Sequence, residues 1–178
     1  GGVVLHDFFK AIKYDNFSNH IPHRHYDGFG LNVAAVEKFA GEGAQLIITI
    51  DCGSTDVDAV DRANELGIDV IITDHHQVSE HPPKAVALVN PQVSDAYPFK
   101  GLCGAGVTYK LVQALIEKGD FDLTPGWEKW WLDMVGVATI ADMVPLRDEN
   151  RALAFYGLQV LRKSRRPGLQ QLLRKQKA

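Results

Sequence analysis

The chain has 178 residues, 46% of them hydrophobic, and a formal net charge of −3. That is enough for one domain with its own core, and disorder is not the default. No apolar run approaches the ~18 residues of a membrane-spanning helix. With two cysteines, Cys52 and Cys103, there is no disulfide framework, so a reducing cytoplasm is expected.

Residues 3–12 have the periodicity of a helix, with Val3, Val4, Leu5, Phe8, Phe9 and Ile12 on a buried stripe and no strand leading into it. A short strand is expected over 17–22, followed by Pro22-His23-Arg24-His25 and a turn at 27–30. Asn32 is placed to cap a helix over 33–40. Residues 46–50 read as a buried strand. Ser54 or Thr55 is expected to cap the helix that follows, and Gly67 to stop it. Residues 68–73 form the next strand, so 46–73 make one β-α-β unit with parallel strands and a right-handed crossover. A third short strand is expected over 85–89. Helices are expected over 104–118, with Val107, Leu111, Ala114 and Leu115 inward, and over 127–141 and 149–163; Pro167 starts a short basic one. The fold class is therefore α/β: a parallel sheet with flanking helices over residues 1–90 and a mostly helical part over 91–178, in one domain.

The chemistry is concentrated where apolar runs stop. Residues 46–50 end in Asp51-Cys52-Gly53, 68–73 end in Asp74-His75-His76, and 137–141 end in Asp142. Open α/β sheets build sites at the C-terminal ends of their strands, and neighbouring parallel strands are about 5 Å apart. Asp51, His75 and Asp142 can therefore converge on one ion. Two carboxylates and an imidazole suit Mn²⁺ or Mg²⁺ with open positions. His76 is the candidate for facing substrate or transferring a proton, and Asp74 for orienting a histidine. Taken singly, each of these residues is equally a turn former or a loop residue. The repetition of the pattern favours a shared site. Gly104 and Gly106 either expose N–H groups to a phosphate or allow close packing. His23 and Arg24 either grip a phosphate or are surface polar residues.

Seven of the 19 basic residues lie from Arg162 onward, and all 22 acidic ones lie before it. That tail is either a solvated helix face or a surface for phosphate backbones.

Asp51-Cys52-Gly53, Asp74-His75-His76 and Thr139-Ile140-Ala141-Asp142-Met143-Val144-Pro145-Leu146, in this order, resemble the DHH phosphoesterase family. Further stretches resemble its RecJ-like branch of single-stranded-DNA-specific exonucleases. They are Ile21-Pro22-His23-Arg24 with Gly28-Phe29-Gly30-Leu31-Asn32, Asn90-Pro91, Tyr97-Pro98-Phe99-Lys100-Gly101-Leu102, Gly104-Ala105-Gly106-Val107, and Asn150-Arg151 followed by Arg166-Pro167-Gly168-Leu169. The resemblance implies a 5′→3′ exonuclease on single-stranded DNA that works in repair and recombination. It further implies Mn²⁺ or Mg²⁺ on Asp51, His75 and Asp142, with His76 and Arg24 near the scissile phosphate. It also implies a monomeric full-length protein with a helicase or a single-strand-binding protein as partner.

The family's opening Asp-x-Asp pair has no counterpart here, and neither do its C-terminal domains. The chain is therefore expected to be a partial DHH domain that alone binds Mn²⁺ weakly. Two other functions fit the same motifs: a phosphodiesterase for short oligonucleotides or cyclic dinucleotides, and a non-catalytic DHH scaffold.

Overall fold

The computed structural model describes residues 1–23 and 25–176. Its centre is a three-stranded parallel sheet in the order β1 (Leu46–Ile50), β2 (Asp69–Thr73), β3 (Ala87–Val89). Leu46 pairs with Asp69 and Ile50 with Thr73, so β1 and β2 end level; Thr73 in turn pairs with Val89. All three strands deliver their following residues to one edge.

Strand alternation divides the apolar side chains between two layers. Ile47, Val70 and Ile72 face α2 (Val33–Gly41) and α3 (Val57–Glu65), where Val36, Val60 and Ala63 are fully buried. Ile48 and Ile50 face α1 (Gly2–Ala11) and α4 (Gly104–Lys118), whose Val4, Phe8 and Val112 belong to the larger cluster. As expected, Asn32 caps α2, accepting from the Ala35 N–H at 2.8 Å. Gly67, at φ +71°, ends the turn after α3.

Several expectations are corrected. Among the described residues, 17–22 form no strand. Phe17 packs instead on Phe9 and His6 of α1. The expected helix over 127–141 is two elements. Gly126, at φ +83°, opens a 3₁₀ turn, Trp127–Trp131, and α5 (Leu132–Ala141) follows. Three residues per turn leave Trp127 and Trp130 outside and Trp131 inside. In α4 Val107 is buried as expected and Leu115 packs against the core, but Ala105, Thr108, Tyr109 and Val112 are buried as well, and Ala114 is exposed. The first turns of α4 are enclosed all round, so its apolar pattern does not show a single stripe. Ser54 does not cap α3. It is buried, and Asp56 takes the cap position, where its carboxylate accepts the Leu31 N–H at 2.6 Å.

Helix α5 crosses α6 (Asp148–Leu161) at Gly136 and Gly157. A Cβ on Gly157 would lie 2.6 Å from Gly136 Cα and from Leu132 O, so only glycine permits this approach. The basic tail is partly structural. Arg166, before α7 (Pro167–Lys175), binds Asp7 of α1 at 2.5 Å and the buried Asp133 of α5 at 2.9 Å. Ser164 Oγ donates to the same Asp133 carboxylate at 2.7 Å.

Candidate metal centre

Three elements aim side chains at the sheet edge. Asp51 follows β1 with φ +64°, while its N–H still bonds Thr73 O at 2.8 Å. The left-handed backbone turns its carboxylate out of the strand direction. The reversal is completed by Gly53, at φ +110°, where a Cβ would meet Thr49 Oγ1 at 2.6 Å. His75 follows β2. Asp142 is the C-cap of α5, fixed by its N–H to Ala138 O at 2.9 Å and followed by Met143 at φ +54°. Left-handed conformations at non-glycine residues cost of order 1–3 kcal/mol and cluster at functional sites.

The side chains converge. His75 Nε2 lies 3.1 Å from Asp51 Oδ1 and 3.6 Å from Asp142 Oδ2. Nε2 is buried and, among the described residues, makes no well-formed hydrogen bond. The Asp51 carboxylate against the ring pushes the His75 pKa up, opposed by burial and helped by Asp142 and Asp74. Asp51, His75 and His76 bring one donor atom each to within 4.8 Å of one another. An unpartnered buried imidazole nitrogen facing two carboxylates fits a divalent cation that accepts mixed N/O donors.

Asp74 is 1% exposed and does not face the cluster. Its Oδ1 accepts the His75 N–H at 2.8 Å and lies 2.7 Å from His76 Nδ1; its Oδ2 accepts the Ser54 N–H at 3.1 Å. Burial alone would push this carboxyl up, but the hydrogen bonds from Ser54, His76 and His75 outweigh it and hold the group below its ordinary value. An ionised Asp74 puts the His76 proton on Nδ1 and leaves Nε2 as the free nitrogen.

Gly104 packs against the cluster: a Cβ there would lie 2.5 Å from Asp51 Cγ. Close approach is therefore the use of this glycine. Gly106 is buried against Leu102 and Leu153, and its N–H is taken by Cys103 Sγ, the cap of α4. It does not offer the open N–H that a phosphate cradle needs. His23 is exposed, stacked on Tyr26 at 4.5 Å, and makes no contact with the cluster among the described residues. Arg24 lies outside the described residues. Further along from His23, Phe29 is 76% exposed and its ring is 5.8 Å from His76. Asp56 clamps the chain just after Phe29, and a Cβ on Gly30 would lie 2.5 Å from its Oδ2.

Sequence reasoning has Ser54 as a helix cap and Asn90 as part of a family stretch, but assigns neither of them a place in the site. Asn90 Nδ2 donates to Ser54 Oγ and to His76 O, both at 2.9 Å. A signal was present: Asn90 follows β3 at the same level as Asp51 and Asp74 follow their strands.

Residues 1–139 match the family described as "DHH family, N-terminal domain". The chain is 42% identical over 173 residues to the single-stranded-DNA-specific exonuclease RecJ of Bacillus subtilis, covering 97% of this chain and 21% of that protein. It is 40% identical to the corresponding protein of Salmonella typhimurium, covering 92% and 30%. It spans less than a third of the length of either relative. A crystal structure of exonuclease RecJ bound to manganese superposes with a TM-score of 0.85 at 32% identity, covering 97% of this chain and 43% of that one. The RecJ of Thermus thermophilus in complex with Mn²⁺ gives 0.70 at 33% identity, covering 81% and 21%. The matched residues contain the two strand-end motifs whose side chains meet at the sheet edge, and on them the chain belongs to the DHH family.

Proposed function

We propose that this chain is the metal-binding part of a phosphodiesterase that hydrolyses single-stranded DNA from its 5′ end. Residues 1–90 and 91–178 are the sheet and helical parts of one partial DHH domain. The observation that carries the reading is the buried, unpartnered His75 Nε2 within 3.6 Å of two carboxylates from different elements. The substrate follows from similarity to proteins named as single-stranded-DNA-specific exonucleases.

Asp51, His75 and Asp142 would hold Mn²⁺ or Mg²⁺. When bound, such an ion polarises the phosphoryl group and lowers the pKa of water. The chain's own residues do the rest. Asp51 and Asp142 supply negative charge, and Asp74 fixes the His76 ring so that Nε2 can hold or pass a proton at the scissile oxygen. Phe29, beside His76, offers an exposed ring at the same edge. The proposed setting is cytoplasmic repair and recombination, in a monomeric protein that works beside a helicase or a single-strand-binding protein. Among the described residues no helix is long and apolar enough to cross a membrane.

The test is calorimetric titration with Mn²⁺, paired with release of label from 5′-labelled single strands. His75→Ala should weaken Mn²⁺ binding by tenfold or more without changing the circular dichroism. Equal Mn²⁺ affinity in a folded variant would remove His75 from the ligand set.

A further inference from the structure

We propose a second surface for single-stranded nucleic acid, formed by the 3₁₀ turn, α4 and α6 and separate from the carboxylate–imidazole cluster. The choice of ligand rests on the reading above; the surface itself does not. A groove of about 580 Å³ runs between these elements. Its floor is Leu132 and Leu153, and its walls include Tyr109, Trp130, Tyr156 and Val160. Trp130 is 44% and Tyr156 55% exposed, and Phe155 beside Tyr156 is 58% exposed with the two rings 5.2 Å apart. A folded domain has no packing reason to line an open groove with exposed rings such as Trp130 and Tyr156.

Charge decides what the rings are for. Lys110, Lys129 and Lys163 line the groove. Lys110 is held by Glu149 at 2.5 Å, and Glu149 also accepts from Tyr97 OH. Among the described residues Lys129 and Lys163 form no ion pair, and Arg165 lies 5.9 Å from the Trp130 ring centroid. Arg162 is exposed next to Lys163. The carboxylates at the groove are Glu128, near Tyr109, and the already engaged Glu149. Flat exposed rings interleaved with free cations are the arrangement that binds single strands without sequence preference: bases stack and phosphodiesters meet lysines. An acidic peptide would use the cations and leave the ring faces unmatched. Lys163 lies beyond the far end of α6, and this 14-residue helix is about 21 Å long.

The test uses the 178-residue chain in EDTA, with a fluorescently labelled 15-nucleotide oligo-dT read by anisotropy across a salt series. Lys129→Gln/Lys163→Gln should bind at least fivefold more weakly, and its log–log salt slope should be shallower by about 1.4, at roughly 0.7 per lost contact. Trp130→Ala should weaken binding without changing the slope. Asp51→Asn/His75→Ala should leave this salt-dependent component in place, so failure of the metal reading is distinguishable from failure of this one. On the unsubstituted chain, iodouracil-containing strands should photocrosslink to Trp130 or Tyr156, which needs no variant to fold. Several results overturn the proposal. They are no binding of oligo-dT, unchanged affinity and slope in the double lysine variant, or crosslinks confined to the neighbourhood of His76. Tighter binding of a Glu/Leu-rich amphipathic 15-residue peptide at the same lysines would also overturn it and assign the face to a protein partner.

Discussion

The Asp51 carboxylate occupies the space where a side chain on Gly104 would begin, with Asp51 Cγ 2.5 Å from an added Cβ. The first residue of α4 is thus a spacer for the residue after β1. Gly104→Ala should displace Asp51 and weaken Mn²⁺ binding about tenfold or more, with the helix content unchanged. Calorimetry and circular dichroism on the same sample check it. Wild-type affinity in the alanine variant would show that Asp51 is free to reach the ion from another rotamer.

Asp74 acts through His76. Asp74→Asn removes the charge that holds the His76 proton on Nδ1, while leaving a side chain that still accepts from the Ser54 N–H. Turnover on single strands should fall 10–100-fold, the range for residues that orient a site's side chains, while Mn²⁺ affinity changes less. Equal losses in both would place Asp74 among the groups that hold the ion.

The α5–α6 crossing sets the position of Asp142. Gly157→Ala forces a methyl against Gly136 Cα and Leu132 O, and should destabilise by about 1–3 kcal/mol in urea denaturation. Gly168→Ala in α7, where nothing lies within 4 Å of an added Cβ, should be neutral or stabilise by a few tenths up to about 1 kcal/mol. The reverse order would mean that the two helices slide apart freely.

Glu149 supplies a pH dependence. Burial raises its pKa, but Lys110 and Tyr97 outweigh this and hold it below its ordinary value. A depressed folded pKa means that the unfolded chain binds the proton first. The stabilisation is present above the ordinary carboxylate range and is lost as pH falls through the folded value. Urea midpoints measured from pH 7 down to pH 3 should fall less steeply for Glu149→Gln than for the wild type. Parallel curves would mean that Glu149 is as well solvated folded as unfolded.

The sheet and the converging triad were legible because each rests on a local rule. Residues 46–50, 68–73 and 137–141 are mainly apolar runs, and Asp51, His75 and Asp142 each come at the end of one. What escaped was tertiary. That Ser54 would turn inward to Asn90 and Asp74 rather than cap α3 depends on β3 lying beside β2. That Gly126 would open a 3₁₀ turn depends on Trp131 being drawn into the core beside Phe8. The burial phase of α4 was obscured because the sheet, α1 and α5 all pack against it. Arg166 was grouped with the basic tail, yet its partners Asp7 and Asp133 are 159 and 33 residues away.

Asn90 ties the segments after β1, β2 and β3 together, through Ser54 Oγ, His76 O and the Gln92 N–H that its own Oδ1 accepts at 2.9 Å. The three segments cannot fray independently, because releasing any one leaves the buried Asn90 amide unsatisfied. They should open as a single cooperative unit, with the Ser54, His75 and His76 amides exchanging hydrogen at a common rate. A site built in this way is in place before any ion arrives, and a cation entering it has little chain left to order.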